Sequence, residues 1–340
     1  MRLCRSSADS SASPGSGPEG WSRLPASLPQ RHPTGYATTG ADRHDRHHSD
    51  GSCEAHRLGR GSPRFARRGA YGLAMGRVRA VLLDVDGVLT VSWKPLPGAV
   101  EAVRRLRDEG VPLALLTNTT SRTRASIAEV LARAGFPVGA EDILTAPSVT
   151  AAYLEEHCPG ARCLLLNSGD VRDDLAGVRL VEPGDGTVPD VVVVGGAGPE
   201  FGYEALNRAF GHLQRGARLV AMHRNLYWRT DAGLQLDTGA FLLGLERAAR
   251  TEAEVTGKPA ASFFATALAH LGAGPEETLM VGDDIESDVL AAQRHGIGGV
   301  LVRTGKYLPE THRAASGTPD HVLDSVADVP ALLERLRQRS

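Results

Sequence analysis

The chain has 340 residues, 41% of them hydrophobic and 23% charged, which is enough for one large domain or two ordinary ones around a substantial core. A net charge of -2 gives no basic footprint for nucleic acid or for an anionic membrane surface. No apolar run reaches membrane-spanning length, the N-terminus lacks the apolar segment of a signal peptide, and Cys4, Cys53, Cys158 and Cys163 show no metal-type spacing, so a soluble, reduced, cytoplasmic protein is expected.

Residues 1–75 are rich in Ser, Gly, Pro, Arg and His and have no sustained apolar period. They are expected to be disordered, because they bury too little surface to offset chain entropy. The tract RHDRHH (43–48) has irregular spacing between charged neighbours, which favours a solvated tail over a metal site. Met75 stands just before the first strand, so an alternative reading starts the working protein there, with an upstream start codon accounting for the rest.

From Val78 short apolar runs alternate with amphipathic segments, the pattern of an α/β fold with a parallel sheet covered by helices on both faces. Strand 79–84 (RAVLLD) leads to helix 98–109, with Val100, Val103 and Leu106 on one face and Gly110 closing it. Strand 112–117 (PLALLT) precedes helix 121–134, expected to start at Ser121 and stop at Gly135, with Ile127, Val130 and Leu131 at helical spacing. A second alternating group follows, with strands in ARCLLLN (161–167), PDVVVVG (189–195) and RLVAM (218–222) and helices 203–215 and 239–250. It is expected to form an inserted domain over 147–251, splitting a first domain into 76–146 and 252–340 and serving as a lid. The first domain resumes with helix 259–271, opened by Pro259, then strand 278–282 (TLMVG), helix 286–295, strand 299–303 (GVLVR) and helix 327–338.

Two acidic clusters end two of these strands. Asp84 closes the first, Asp86 lies two residues on, and Gly87 permits the turn. That spacing lets one carboxylate attack phosphorus and form an acyl phosphate, while the other protonates the leaving oxygen and then deprotonates water. Standing alone, DVDG reads equally as a loop with two solvated acids. Thr117, followed by Asn118 and Thr119, offers a hydroxyl and backbone amides to phosphate oxygens, or an ordinary helix cap. Lys258 in TGKP suits neutralisation of an aspartate and a transferring phosphoryl group, although any single lysine also reads as a surface residue. Asp283 and Asp284 follow Gly282, and Asp288 lies one turn on. Carboxylates gathered beside a phosphate dianion repel one another unless a cation joins them, so magnesium is expected, held by Asp84, the main-chain oxygen of Asp86 and Asp283. Asp284 and Asp288 are assigned outside that ligand set, Asp288 as a structural or loop-ordering group.

Taken in order, DVDGVLT, TN, GKP and GDD each sit at a strand end or helix start, and over residues 78–338 the chain resembles the haloacid dehalogenase superfamily of hydrolases. The resemblance implies a Rossmann-like parallel-sheet core with an inserted α/β cap of the nagD-like subfamily IIA (C2 cap). It places the nucleophile, acid/base, phosphate-binding and metal roles on Asp84, Asp86, Thr117, Lys258 and Asp283, with Asn118 counted beside Thr117 in substrate binding and Mg2+ as cofactor. The implied activity is hydrolysis of a small phosphorylated metabolite, with no nucleic-acid or membrane partner and with the cap also serving a homodimer. The segments LTNTTSRTR, PEFGYEALNRAF, GARLVAMHRNLYW and VRTGKY narrow the resemblance and bring in phosphoramidate or pyrophosphate hydrolysis as an alternative. A catalytically inactive protein that binds a phosphometabolite is the other alternative.

Where nagD-like members carry Asn-Pro-Asp, this chain has His223, Arg224 and Asn225, so their substrate preferences are not carried over. Arg224, Asn225, Tyr227 and Trp228 are candidates for substrate contact, or else an aromatic pair packing the cap beside solvated polar groups. GGAGPEFG (195–202) lacks the glycine spacing of a dinucleotide fingerprint and reads as a turn. His223 and His270 read as packed or surface histidines, and Cys158 and Cys163 as a reduced pair.

Overall fold

The computed structural model describes residues 78–230 and 233–338, which fall in one unit of the chain, Arg67–Ser340. The expectations for residues 1–75, with Cys4, Cys53 and Met75, lie outside the described residues.

Strand β1 (Ala80–Asp84) is followed by a small hairpin of β2 (Thr90–Val91) and β3 (Lys94–Pro95) and by α1 (Ala99–Asp108). Then come β4 (Leu113–Thr117), α2 (Arg124–Arg133), β5 (Ile143–Thr145) and α3 (Ala146–His157). A further run comprises β6 (Arg162–Leu166), β7 (Arg179–Val181), β8 (Val191–Val194), α4 (Tyr203–Gln214) and β9 (Arg218–Ala221). The hairpin of β10 (Tyr227–Thr230) and β11 (Gly233–Leu236) leads through α5 (Thr238–Ala249) to β12 (Glu254–Val255). Next are α6 (Ala261–Leu271), β13 (Thr278–Gly282) and a π-helical turn (Ile285–Leu290) running into α7 (Ala291–Arg294). The chain ends with β14 (Gly298–Val302), α8 (Pro309–Ala314), β15 (His321–Leu323) and α9 (Val329–Gln338).

Six parallel strands form one sheet in the order β15-β14-β13-β1-β4-β5, and five form a second in the order β12-β9-β8-β6-β7. β1, β4, β13 and β14 are buried at every position, as strands covered on both faces must be, which is why they read as unbroken apolar runs. Helix α1 buries Ala99, Ala102, Val103 and Leu106, whereas Val100, expected on that face, is half-buried. Emptying the Leu106 site with alanine would cost roughly 2–5 kcal/mol.

Several boundaries differ from expectation for local reasons. Helix α2 begins at Arg124, not Ser121, because the Thr123 hydroxyl caps it by accepting from the Ser126 amide at 3.2 Å. Helix α6 begins at Ala261, so Pro259 is not its first residue; residues 257–260 form a turn closed by Ala260 N donating to Gly257 O at 2.9 Å. The helix expected over 286–295 opens as a π turn instead, with Asp288 and Val289 amides both donating to Asp284 O at 3.1 and 3.4 Å. Strand β12 falls within the range expected for the first domain but pairs with β9, so the second sheet runs on to Val255. Helix α3 was not anticipated; the Thr145 hydroxyl caps it and Pro147 occupies its first turn.

The two sheets are cemented together. Leu82, Leu116 and Met280 of the first and Cys163, Val191 and Val193 of the second belong to one apolar cluster, completed by Val149 and Leu154 on α3 and Phe263 and Phe264 on α6. Polar ties reinforce it. The buried Asp174 carboxylate, between β6 and β7, accepts from Arg124 N at 3.0 Å, Arg124 Nε at 3.2 Å and Thr145 Oγ1 at 2.9 Å. The segment expected as a lid is therefore anchored by buried contacts. No helix among the described residues is long and apolar enough to cross a membrane.

Candidate active site

The chain moves from β1 to β4 on one side and returns to β13 on the other, so strand order reverses at the crevice between β1 and β13. Ligands of open parallel sheets bind outside the carboxyl ends of strands at such a point. Asp84 ends β1 and Asp283 follows β13, so the pairing of these strands delivers both carboxylates there.

Lys258 enters from the turn after β12. Its buried Nζ lies 2.5 Å from Asp84 Oδ1 and 2.8 Å from Asp288 Oδ1. Burial alone would pull this ammonium down, but Asp288 and Asp84 outweigh it and hold Lys258 above the ordinary lysine value. Burial lifts the Asp84 carboxyl, and Lys258 opposes that lift. The lysine is aimed by Asn118, whose Nδ2 donates to Lys258 O and whose Oδ1 accepts from Lys258 N, both at 2.9 Å. Asn118 was expected to bind substrate; its carboxamide is instead spent on the Lys258 backbone.

Asp283 is held in a slot without room for side chains. Gly87 and Gly305 flank it, both at positive φ (91° and 59°), and a Cβ on either would collide with Asp283 Oδ2. That oxygen accepts from Lys306 N at 2.7 Å, while Oδ1 is buried with no hydrogen-bond partner. Burial, reinforced by the charges of Asp84 and Asp288, pushes the Asp283 carboxyl up to about 8. Asp288, lifted to about 6 by burial against the pull of Lys258, completes a trio. One carboxylate oxygen from each of Asp84, Asp283 and Asp288 lies within 4.8 Å of the others. An unsatisfied buried oxygen among three hard anionic donors fits a magnesium ion. Asp288 thus sits closer to the chemistry than a loop-ordering role requires, because the π turn carries it over Gly282, where a Cβ would strike it. Asp284 caps that turn, its Oδ1 accepting from Glu286 N at 3.2 Å and Ser287 N at 3.0 Å.

Asp86 faces the opening and is solvent-exposed at its mouth. Enclosure by the surrounding protein still lifts its carboxyl, with Lys258 and Lys306 drawing it back. Thr119 Oγ1 donates to Asp86 Oδ2 at 3.4 Å and shares a 2.8 Å hydrogen bond with the buried Thr117 hydroxyl, which also accepts from Thr119 N at 3.0 Å. One hydroxyl chain therefore links the end of β4 to the exposed acid.

The candidates on the second sheet fare differently. The Arg224 guanidinium is committed to Glu246, with Nη1 and Nη2 donating to its two carboxylate oxygens at 2.9 and 2.6 Å, so it braces the loop rather than reaching for substrate. Asn225 and Tyr227 are exposed, while the Trp228 side chain lies outside the described residues. His223 is buried beside Asp237, its Nε2 3.9 Å from Oδ1, and burial pushes its imidazole down. Cys158 and Cys163 are both free thiols. GGAGPEFG forms the loop after β8, where Gly196 N donates to Asn167 Oδ1 at 2.8 Å, and Asn167 Nδ2 in turn donates to Thr120 O at 3.0 Å. Lys306, four residues past the end of β14, had no role assigned from the sequence.

A family profile described as haloacid dehalogenase-like hydrolase matches residues 81–180, and one described as HAD-hydrolase-like matches 255–329. Phospholysine phosphohistidine inorganic pyrophosphate phosphatase of Xenopus laevis is 39% identical over 264 residues, covering 75% of this chain and 94% of that protein. Haloacid dehalogenase-like hydrolase domain-containing protein 2 of Bos taurus is 39% identical over 230 residues, covering 68% and 86%. Among solved structures, NagD from E. coli K-12 superposes with a TM-score of 0.67 at 28% identity, covering 74% of this chain and 98% of that one. With its parallel-sheet fold and acid-lined strand ends, the chain belongs to the haloacid dehalogenase superfamily of hydrolases, in the NagD-like subfamily IIA, and is a phosphatase.

Proposed function

We propose that the protein hydrolyses a small phosphorylated molecule, with magnesium, through an aspartyl-phosphate at Asp84. The observation that carries the reading is the Lys258 ammonium 2.5 Å from Asp84 Oδ1, which favours the anionic form of a buried carboxyl at the strand-order reversal. Asp84 attacks phosphorus, and the bond to the leaving oxygen breaks as the Asp86 carboxyl gives that oxygen its proton. The Asp86 carboxylate then takes a proton from water as the water oxygen attacks phosphorus, and the bond from phosphorus to the Asp84 oxygen breaks, which frees Asp84 and phosphate. A lifted, exposed carboxyl suits this two-way traffic, since it stays protonated closer to neutral pH and still reaches solvent.

Thr117 and the amides after β4 orient the phosphoryl oxygens, and Lys258 offsets their charge. The metal would be held by Asp84, Asp283 and the main-chain oxygen of Asp86, with Asp288 beside them, and when bound it supplies charge neutralisation for the phosphoryl group. Residues 76–146 and 252–340 form the catalytic part on this reading, and 147–251 the cap that bounds the substrate.

The test is the stereochemical course at phosphorus, followed with an isotopically chiral thiophosphate ester in isotopically labelled water. The proposal expects net retention, from two successive in-line displacements, and a loss of about three orders of magnitude or more in turnover for Asp84→Asn. Inversion at phosphorus, or an active Asp84→Asn protein, would overturn it.

A further inference from the structure

The turn Thr304-Gly305-Lys306 after β14 enters the acidic crevice. Its backbone is pinned twice: Lys306 N donates to Asp283 Oδ2 at 2.7 Å, and Thr304 Oγ1 donates to Gly87 O at 2.5 Å. The Lys306 side chain is held more loosely. It is 66% exposed, with Nζ 3.9 Å from Asp284 Oδ2. Its charge is felt by Asp84, Asp86 and Asp283 on the first sheet and by His223 on the second. The turn that carries it packs against Gly87, the residue after Asp86, so the lysine emerges at the mouth of the crevice on the side where a leaving group departs.

The neighbouring cationic candidates are already engaged. Lys258 is bound between Asp84 and Asp288, Arg224 is forked onto Glu246, and His223 is kept uncharged by burial. Lys306 is fixed at its root and only loosely paired, with Asp284, at its exposed tip, so it suits a group beyond the transferred phosphoryl. We propose, resting on the phosphatase reading above, that Lys306 is a specificity-determining residue whose ammonium pairs with an anionic leaving group. Substrates of the pyrophosphate type are then favoured over phosphoramidates of lysine, whose leaving group is cationic.

The test compares the full-length protein with Lys306→Gln and Lys306→Arg, with magnesium, on pyrophosphate (anionic leaving group), p-nitrophenyl phosphate (leaving group uncharged in the bound ester) and Nε-phospholysine (cationic). In Lys306→Gln, kcat/KM for pyrophosphate is expected to fall about 10- to 100-fold, mostly through KM, as loss of one charge pair near a protein surface predicts. That loss should exceed the loss on p-nitrophenyl phosphate at least about tenfold, discrimination against phospholysine should relax, and Lys306→Arg should restore most of the pyrophosphate activity. Equal losses on all three substrates would overturn the inference, since the lysine would then only balance the acids of the site. So would wild-type protein that turns over p-nitrophenyl phosphate but not pyrophosphate. Wild-type protein inactive on all three would instead remove the phosphatase reading on which the inference rests.

Discussion

The two sheets are built alike and used differently. Each is parallel, and each has one point where strand order reverses, between β1 and β13 in the first and between β6 and β8 in the second. In the first, that crevice holds Asp84, Asp283, Asp288 and Lys258, with one carboxylate oxygen left without a partner. In the second, it is stitched shut: Asn167 Oδ1 accepts from Gly196 N, Gly195 N donates to Leu166 O, and Ser168 N donates to Gly196 O, each at 2.8 Å. A strand-order reversal therefore offers a place for chemistry, and the residues at the strand ends decide whether it is kept open or filled.

The sharpest way to break this contrast is to alter the open crevice without disturbing the packing. Asp86→Asn should lower kcat about 10²–10⁴-fold while Tm stays within roughly 2 °C of wild type, because the side chain is exposed. The loss should shrink for esters whose leaving groups need no proton. A uniform loss across leaving groups would assign Asp86 a role other than acid.

Metal removal tests the charge stored in the same crevice. In metal-free protein, Asp283 binds its proton more tightly than in the unfolded chain, with a value near 8 against an ordinary 3.8. The folded state then holds the extra proton between those values, so this group's contribution to stability falls as pH rises through the window, by up to about 1.4 kcal/mol per pH unit. Thermal melts in EDTA should show Tm dropping from about pH 5 to about pH 8, with magnesium raising Tm more at the upper end. A flat metal-free profile, or equal stabilisation by magnesium throughout, would contradict the assignment.

The smallest effect is expected on the filled side. Arg224→Ala removes the fork to Glu246, which is itself mostly buried, and should cost roughly 1–3 kcal/mol in denaturant unfolding with KM changed less than about twofold. A raised KM with unchanged stability would return Arg224 to the substrate.

How far the sequence could be read follows from the range of the forces involved. β1, β4, β13 and β14 announce themselves because full burial demands apolar residues at every position, and the acids at their ends stand out against that background. β15 is only half-buried along its length and β12 has two residues, so neither leaves a comparable trace. Pairings between distant residues were equally silent. Nothing near Arg224 marks Glu246 as its partner, and nothing near Asp288 marks the π turn that brings it to Lys258. Lys306 was hidden by the default that a lone lysine belongs to the surface; its side chain does, and its backbone does not.

The reciprocal bonds between Asn118 and Lys258 have a consequence for how such a molecule can change. They close a loop spanning 140 residues, and what lies between contributes neither of the two bonded groups. Because closure entropy grows only logarithmically, doubling that span would cost about 0.6 kcal/mol more. Loops of the second sheet within that span can thus lengthen or shorten at small entropic cost while the lysine stays aimed at its aspartate, as long as the buried contacts of β5 and α3 with the first sheet are kept. Selectivity can drift without the reaction being rebuilt.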